Sequence, residues 1–385
     1  MQLVTEDRLA TGGEAVARAD DGRVVFVAGA APNETVEVEI TQQKKRFLRA
    51  RVLSVVEPSA ARVEPQCAHY DICGGCVLQH VEAATQTRLK DAATIQTITR
   101  VGRVDPSTYE HLAPWSGDAY GYRTRARFAV ADGVVGYRGA KSHRVVDVES
   151  CPILASGAAR GLAALRAASP SVDGIVDVSV IGSGDDVLAD APSALEGVRT
   201  DADATLEADD GLGLMLLSPR VFAQANAAGN AALVEQVTAW VEAAAPSTIL
   251  ELYAGSGNFT RSIARHAARV VAIEQSEEAS QLAKRAAVEH VEVWGVSVES
   301  GLLSWSGDAP DLVLLDPPRR GVEPSTLEAL VKLAPSKLVY VSCDPGTFAR
   351  DAAALGEAGY RLDAVRVFDL YPQTAHVELV AQLSR

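Results

Sequence analysis

Residues 249–260 read ILELYAGSGNFT. An apolar run gives way to a Gly-Ser-Gly turn and then to Asn258, Phe259 and Thr260. That is the pattern of a strand that ends in a tight loop and feeds a helix. Gly255 and Gly257 allow a sharp turn and a close backbone approach to a ligand. The fingerprint for a dinucleotide asks for a third glycine at position 260, and threonine stands there instead. The next apolar run, RVVAIE, ends on Glu274, about twenty residues further on, where an acid suits a ribose diol.

Around this stretch the pattern alternates. From Thr248 the runs TILELYAG, RVVAIE, VEVWGVS, DLVLLDP, KLVYVSCDP, YRLDAVRVFDLYP and HVELVAQL are separated by helical segments, which implies a mostly parallel α/β sheet. Glu251 within the first strand, the glycine loop and Glu274 together fit S-adenosylmethionine better than a nicotinamide dinucleotide. Ligands of such sheets bind at the carboxyl ends of the strands. Asp316, followed by two prolines in DLVLLDPPRRG, falls at that edge, and so does Cys343 in VYVSCDPG. A thiol at a strand end, near a helix start or a cation such as Arg350, can be activated as a nucleophile. Glu378 opens the last run. By alternation it faces away from Val377 and Leu379, and taken alone such an acid is usually at the surface. The stretch SPRVFAQANAAGNAALVEQVTAWV, from Ser218, reads as a cap and a long helix.

The amino-terminal half reads differently. Residues 1–60 show short alternating runs with glycine-marked turns, and Asp21-Gly22 between two of them is a hairpin signal. This suggests a small barrel of the oligonucleotide-binding type, with Pro58 and Pro65 at its exit. A helix is expected over QHVEAATQTRLKDAATIQTITRVG, ended by Gly102. Residues 120–217 read mainly as strands. The fold class is therefore α/β and β. An OB-like barrel (1–60) leads to a central, mostly β domain (61–217) and a Rossmann-like domain (218–385).

The net charge is −14, which weighs against a broad nucleic-acid surface, because phosphate contacts need cations. Local stretches run the other way. KKRFLRAR (44–51) holds five cations and no acid, and Arg123, Arg125 and Arg127 share one strand face. YRGAKSHR adds Arg138, Lys141 and Arg144. A solvated, solubilising face is the competing reading of either patch. No apolar run is long enough to span a bilayer and the start shows no secretory pattern, so a cytoplasmic protein without membrane attachment is expected. Three of the five cysteines fall within CAHYDICGGC (67–76). In a reducing compartment such clustering points to metal or catalysis more than to disulfides, and either zinc or iron–sulfur suits thiolate donors.

The segments FAQAN (222–226), ELYAGSGNFT, Glu274, DPPRRG, SCDP and HVEL occur in one order, and together they resemble the RNA uracil-5-methyltransferases. The resemblance spans nearly the whole chain, with residues 1–60 similar to the TRAM barrel that many members carry. It implies that Gln224, Tyr253, Asn258, Glu274 and Asp316 line the S-adenosylmethionine pocket, with Cys343 as nucleophile and Glu378 as proton acceptor. It also implies that Cys67, Cys73, Cys76 and Cys151 hold a [4Fe-4S] cluster. Asp344 departs from the asparagine that members often carry after the nucleophile, and an acid there disfavours the adjacent thiolate. The expected partner is RNA, with 23S rRNA as substrate and tRNA as the alternative, acted on by a monomer. A cytosine methyltransferase and a non-catalytic RNA-binding module are the competing functional readings.

Overall fold

The computed structural model describes residues 1–168, 174–191, 193–201, 203–209 and 214–385. The stretches 169–173 and 210–213, within the reach expected to be mainly strand, lie outside the described residues.

Five strands close a barrel: β1 (Gln2–Leu9), β2 (Ala15–Arg18), β3 (Val24–Ala28), β4 (Thr35–Gln43) and β5 (Phe47–Glu57), in the order β1-β2-β3-β5-β4. The Asp21-Gly22 turn joins β2 to β3 as the sequence suggests, with Gly22 at φ +83°, a region that favours glycine. Alternate residues such as Val25, Val27, Val36 and Val38 fill the barrel. Leu78 and Leu89 belong to the same apolar cluster, so one end of the barrel docks on the segment and helix that follow. Glu34 is fully buried. Burial opposes its charge, but Arg62 and the Ala31 and Ser59 amides outweigh it and hold the carboxyl below its ordinary range.

Helix α1 (Ala83–Val101) ends at Gly102, and strand β6 (Glu110–Ser116) follows. The central sheet is antiparallel: β7 (Arg125–Ala131), β8 (Val134–Arg138), β9 (Val145–Asp147), helix α2 (Ser156–Ala168), β10 (Val176–Ser183) and β11 (Asp186–Asp190), in the order β11-β10-β7-β8-β9. A two-stranded ribbon, β12 (Leu206–Asp209) and β13 (Leu214–Leu217), precedes α3 (Ala227–Ala244). The expected helix from Ser218 therefore starts nine residues later than expected. Asn226, in extended conformation, caps it by accepting from Gly229 N at 3.0 Å. The carbonyls of Ser218, Pro219 and Val221 are taken by the Arg125 guanidinium, which holds that stretch out of helical geometry.

The rest alternates: β14 (Thr248–Leu252), α4 (Thr260–Ile263), β15 (Arg269–Ile273), α5 (Glu277–Ala286), β16 (Val291–Trp294), α6 (Val298–Ser304), β17 (Leu312–Leu315), α7 (Pro324–Leu333), β18 (Lys337–Ser342), α8 (Pro345–Glu357), β19 (Arg361–Asp369) and β20 (Glu378–Ser384). The eight-stranded order is β16-β15-β14-β17-β18-β20-β19-β6. Its central strands are apolar on both faces. Leu250, Val313 and Leu338 pack on the layer with α6, α7 and α8, while Ile249, Leu312 and Val339 pack on the layer with α3 and α4. β20 runs antiparallel to both its neighbours, and β6 lies parallel to β19 at the edge. The sequence suggested no such role for residues 110–116. Among the described residues no helix is long and apolar enough to cross a membrane.

Helix α1 is bound to this sheet by a buried ion pair. Lys90 Nζ donates to Asp369 Oδ1 at 2.7 Å, and Thr87 Oγ1 donates to Asp369 Oδ2 at 3.0 Å. Asp369→Ala strands a buried ammonium, and we expect it to lower unfolding stability by about 3–5 kcal/mol in urea titrations. A Lys90→Met/Asp369→Leu double variant should lose much less. A single-variant loss below about 1 kcal/mol would remove this pair from the account of the fold.

Candidate active site

β14 ends in the glycine loop. Tyr253, at φ +62°, and Gly255, at φ +58°, both adopt left-handed backbone, and for Tyr253 that conformation is strained. The loop is tied down from beneath and from the side. Glu274, at the end of β15, accepts from Gly255 N at 2.9 Å and from Ser276 N at 2.6 Å. Asn258 exchanges two amide hydrogen bonds with Asn230 of α3, at 2.8 and 2.9 Å. Glu251 lies below the loop, buried, and accepts from Thr260 Oγ1 at 2.6 Å, while its other oxygen has no partner. Burial pushes its carboxyl up to about 8, with the charges of Asp316 and Glu274 adding to the effect. Glu251 thus supports the loop from within the protein, and Glu274 is the acid that reaches the cavity wall.

The two residues expected to do chemistry meet across a ladder. β18 and β20 pair antiparallel with Ser342 opposite Leu379, so the residue leaving β18, Cys343, stands beside the residue starting β20, Glu378. Glu378 is 3 % exposed, so it is not the surface acid that its position alone suggested. Burial raises its carboxyl well above the ordinary range and the Asp316 charge raises it further; Arg319 and a hydrogen bond from Gln224 oppose them. Tyr371 Oη in turn donates to Gln224 Oε1 at 2.8 Å. Burial, followed by the charges of Glu378 and Asp316, pushes the Cys343 thiol up to about 12. Burial pushes Asp316 itself up to about 7.

The cation that acts on Cys343 is Arg319, not Arg350. Arg350 is held away by Asp351 and by the carbonyls of Arg320 and Val322. Asp344 is the smallest of the influences on the thiol. Its carboxylate is engaged as the cap of α8, accepting from Gly346 N at 2.8 Å and Thr347 N at 2.9 Å. Arg319 also donates to the His376 ring at 3.2 Å. Burial and the charges of Arg319, Lys90 and Arg123 push that imidazole down to about 4, so it is neutral at pH 7.

These groups share one cavity of about 860 Å³. Gln224, Tyr253, Asn258, Glu274, Asp316, Cys343 and Glu378 line it, and so do Cys67, Cys73, Cys76 and Cys151. The four latter thiols are free and partly buried, and the segment that carries three of them is tied to the central sheet by a bridge between Cys73 and Gly139. Burial pushes Cys76 up to about 11, and Cys151, Cys73 and Cys67 raise it further by their charge. Among the described residues no group of three or more His, Cys, Asp or Glu side chains is arranged to hold a metal ion. Phe222 stands at the cavity with 69 % of its surface exposed.

Sequence reasoning missed Arg319, His376 and Tyr371. Arg319 was visible inside DPPRRG, where the acid and the prolines drew attention. The other two sit in the connection between β19 and β20, at the ends of the runs YRLDAVRVFDLYP and HVELVAQL, where the apolar residues and Glu378 drew attention. The basic stretches are neutralised only in part. Arg49 pairs with Glu14, Arg51 with Glu39 and Arg138 with Asp177, while Arg125 braces the segment before α3. Arg123 and Arg127 do line the cavity.

The TRAM domain family matches residues 2–53, and the tRNA (Uracil-5-)-methyltransferase family matches residues 213–299 and 308–385. The chain is 33 % identical to the 23S rRNA (uracil(1939)-C(5))-methyltransferase RlmD of Pectobacterium atrosepticum, covering 96 % of this chain and 90 % of that one. It is also 33 % identical to the enzyme of the same description from Edwardsiella ictaluri, covering 98 % and 94 %. The crystal structure of Pyrococcus abyssi tRNA (uracil-54, C5)-methyltransferase in complex with S-adenosyl-L-homocysteine shares the fold, with a TM-score of 0.76 at 24 % identity over 99 % of each chain.

The charges around Cys343 set its reactivity. Glu378→Gln removes a carboxylate that raises the thiol, and so should shift the pH profile of Cys343 alkylation by iodoacetamide to lower pH. Arg319→Ala removes the opposing cation and should shift it to higher pH. Unmoved profiles in both variants would contradict this electrostatic account.

Proposed function

The chain belongs to the RNA uracil-5-methyltransferase family, and we propose that it transfers a methyl group from S-adenosylmethionine to C5 of a uridine in 23S rRNA. The observation that carries this reading is the pairing of Cys343 with Glu378 on the wall of the cavity that also holds the glycine loop and Asp316. When bound, S-adenosylmethionine would supply an electrophilic methyl group and leave as the neutral thioether S-adenosylhomocysteine. Tyr253, Asn258, Glu274 and Asp316 surround the place where it would lie, with Gln224 on the side of Glu378. Glu274 has the position for a ribose diol.

Uracil C5 is a weak nucleophile. In the proposed reaction the Cys343 sulfur adds to C6, and the C5=C6 electron pair makes C5 an enolate carbon able to take the methyl group. Arg319 stabilises the thiolate that this addition requires. Glu378 then accepts the C5 proton, C5=C6 re-forms, and the sulfur leaves. Gln224, held by Tyr371, keeps the Glu378 carboxyl in place. A base stacked in a stem cannot reach a buried thiol, so the target uridine leaves its stack, and the exposed ring of Phe222 offers it a stacking surface.

We also propose that Cys67, Cys73, Cys76 and Cys151 hold a [4Fe-4S] cluster. Four cysteines that line one cavity supply the four thiolates that a cluster of this kind takes. It would clamp the 67–76 segment to the central sheet.

Cys343→Ala should abolish 5-methyluridine formation. Glu378→Gln should lower turnover by about 10²–10⁴-fold and accumulate a denaturation-resistant protein–RNA adduct, since proton removal is blocked after the sulfur has added. Undiminished transfer by Cys343→Ala would overturn the mechanism. Mapping 5-methyluridine in rRNA and tRNA from cells lacking this chain identifies the substrate. For the cluster, anaerobically purified protein should contain iron and acid-labile sulfide, and Cys73→Ser should lose both together with thermal stability. Zinc without sulfide, or unchanged metal content in the variant, would refute it.

A further inference from the structure

Behind Cys343 lies a second cavity, of about 560 Å³. It shares Cys343, Arg319, the Gly74-Gly75 step and the loop residues Thr374, His376 and Val377 with the first, so these residues form a common wall. Its other walls come from four parts of the chain: the turn at Thr11–Gly13 of the barrel, Val77 and Leu78 after the cysteine segment, one face of α1 at Ala93, Thr94 and Thr97, and the start of α8. The barrel turn is fixed against the loop that precedes Glu378. Gly13 sits at φ +83°, and a Cβ there would meet Ala375 and Val77 at 3.1 Å.

Building on the methyltransferase reading, we propose that this second cavity seats the base of a nucleotide next to the target uridine in the RNA strand. Gly12, Gly75, Ala93 and Ala375 leave room for a flat ring, and the one carboxylate of the lining, Asp344, is engaged as the cap of α8. Lys90 also lines it, but its ammonium is consumed by Asp369 and by the Tyr371 carbonyl. Thr94 and Thr97 donate their hydroxyl protons to carbonyls of their own helix, at 2.8 Å each, and so present acceptor oxygens. Arg319 is the cation at the common wall, and the neutral His376 beside it does not compete for negative charge. With the charges of Lys90 and Asp344 engaged, Arg319 is the cation left at the shared wall, which suits a base inside and its phosphodiester at that wall. A phosphate buried in the slot would find no further free cation among these residues.

Connectivity supplies the occupant. A uridine delivered to Cys343 from the first cavity is joined to its neighbours through phosphodiesters. The second cavity adjoins the first at Cys343, so the nucleotide joined directly to the target is the occupant that this adjacency offers. That space is lined by the barrel, so a neighbour seated there would link the barrel to the strand that carries the target.

Two measurements test this. Thr97→Trp fills the slot. It should raise KM for RNA at least tenfold, with kcat and the S-adenosylmethionine dissociation constant changed less than twofold. The unaltered enzyme should show the same loss on an oligonucleotide made abasic at one flanking position, and variant and abasic substrate together should show no further loss. An unchanged KM, or losses that multiply, would overturn the subsite. The second measurement uses the unaltered protein and does not depend on the variant folding. RNAs carrying 4-thiouridine at each flanking position should crosslink to residues 9–13 or 93–97, and crosslinks confined to other segments would overturn the proposal. If the unaltered protein forms no 5-methyluridine, the functional reading fails, and the crosslinks still decide the subsite.

Discussion

The candidate site depends on one ladder, the antiparallel pairing of β18 with β20. In a parallel sheet every strand delivers its last residue to one edge and its first residue to the other. A strand read in the usual direction could therefore bring Cys343 to the site but never the first residue of the final strand. Reversing β20 places Glu378 on the same edge as the ends of β14, β17 and β18. The register, with Ser342 opposite Leu379 and Phe368 opposite Glu378, fixes it between β18 and β19. A slip of one residue would turn Glu378 to the opposite face of the sheet.

That arrangement crowds acidic groups into a space poor in water. Glu378, Asp316 and Cys343 each carry a raised pKa, burial being the first cause in every case. Like charges in such a site do not ionise together, so the thiolate is easiest to form while Glu378 holds its proton. In the proposed reaction this coupling orders the steps. Once the sulfur is bound to carbon it bears no charge and its repulsion on Glu378 vanishes, so Glu378 releases its proton to solvent in the cavity and stands as the carboxylate that accepts the C5 proton.

Much of this was legible before the structure. Strand and helix alternation gave the sheet, the glycine loop gave its ligand edge, and Asp21-Gly22 gave the barrel hairpin, because each is a local signal. Glu378 illustrates the limit. Alternation tells which residues share a face, but burial of that face is decided by β19 on one side and β18 on the other. The stretch 218–226 has helical composition, and its start at Ser218–Val221 is held out of helical geometry by Arg125, a residue more than ninety positions earlier. Arg319 and His376 acquire their roles only through each other, across 57 positions of chain. The cysteine cluster was legible as a group. Its convergence with Cys151 on one cavity depends on the packing of the 67–76 segment against the central sheet.

The edge strand β6 has a consequence for how the molecule comes to be. It is made early in synthesis, yet its partner β19 lies some 250 residues later: Glu110 pairs with Ala364. Until then the strand carries unpaired backbone groups able to template association with another chain. Pairings of such large sequence separation form slowly. Helix α1 docks through Asp369, at the end of that same strand, so it too waits for β19. A newborn chain thus passes through a stage in which the barrel can close while the sheet edge beside it is open, and the last strands to be made bury that edge.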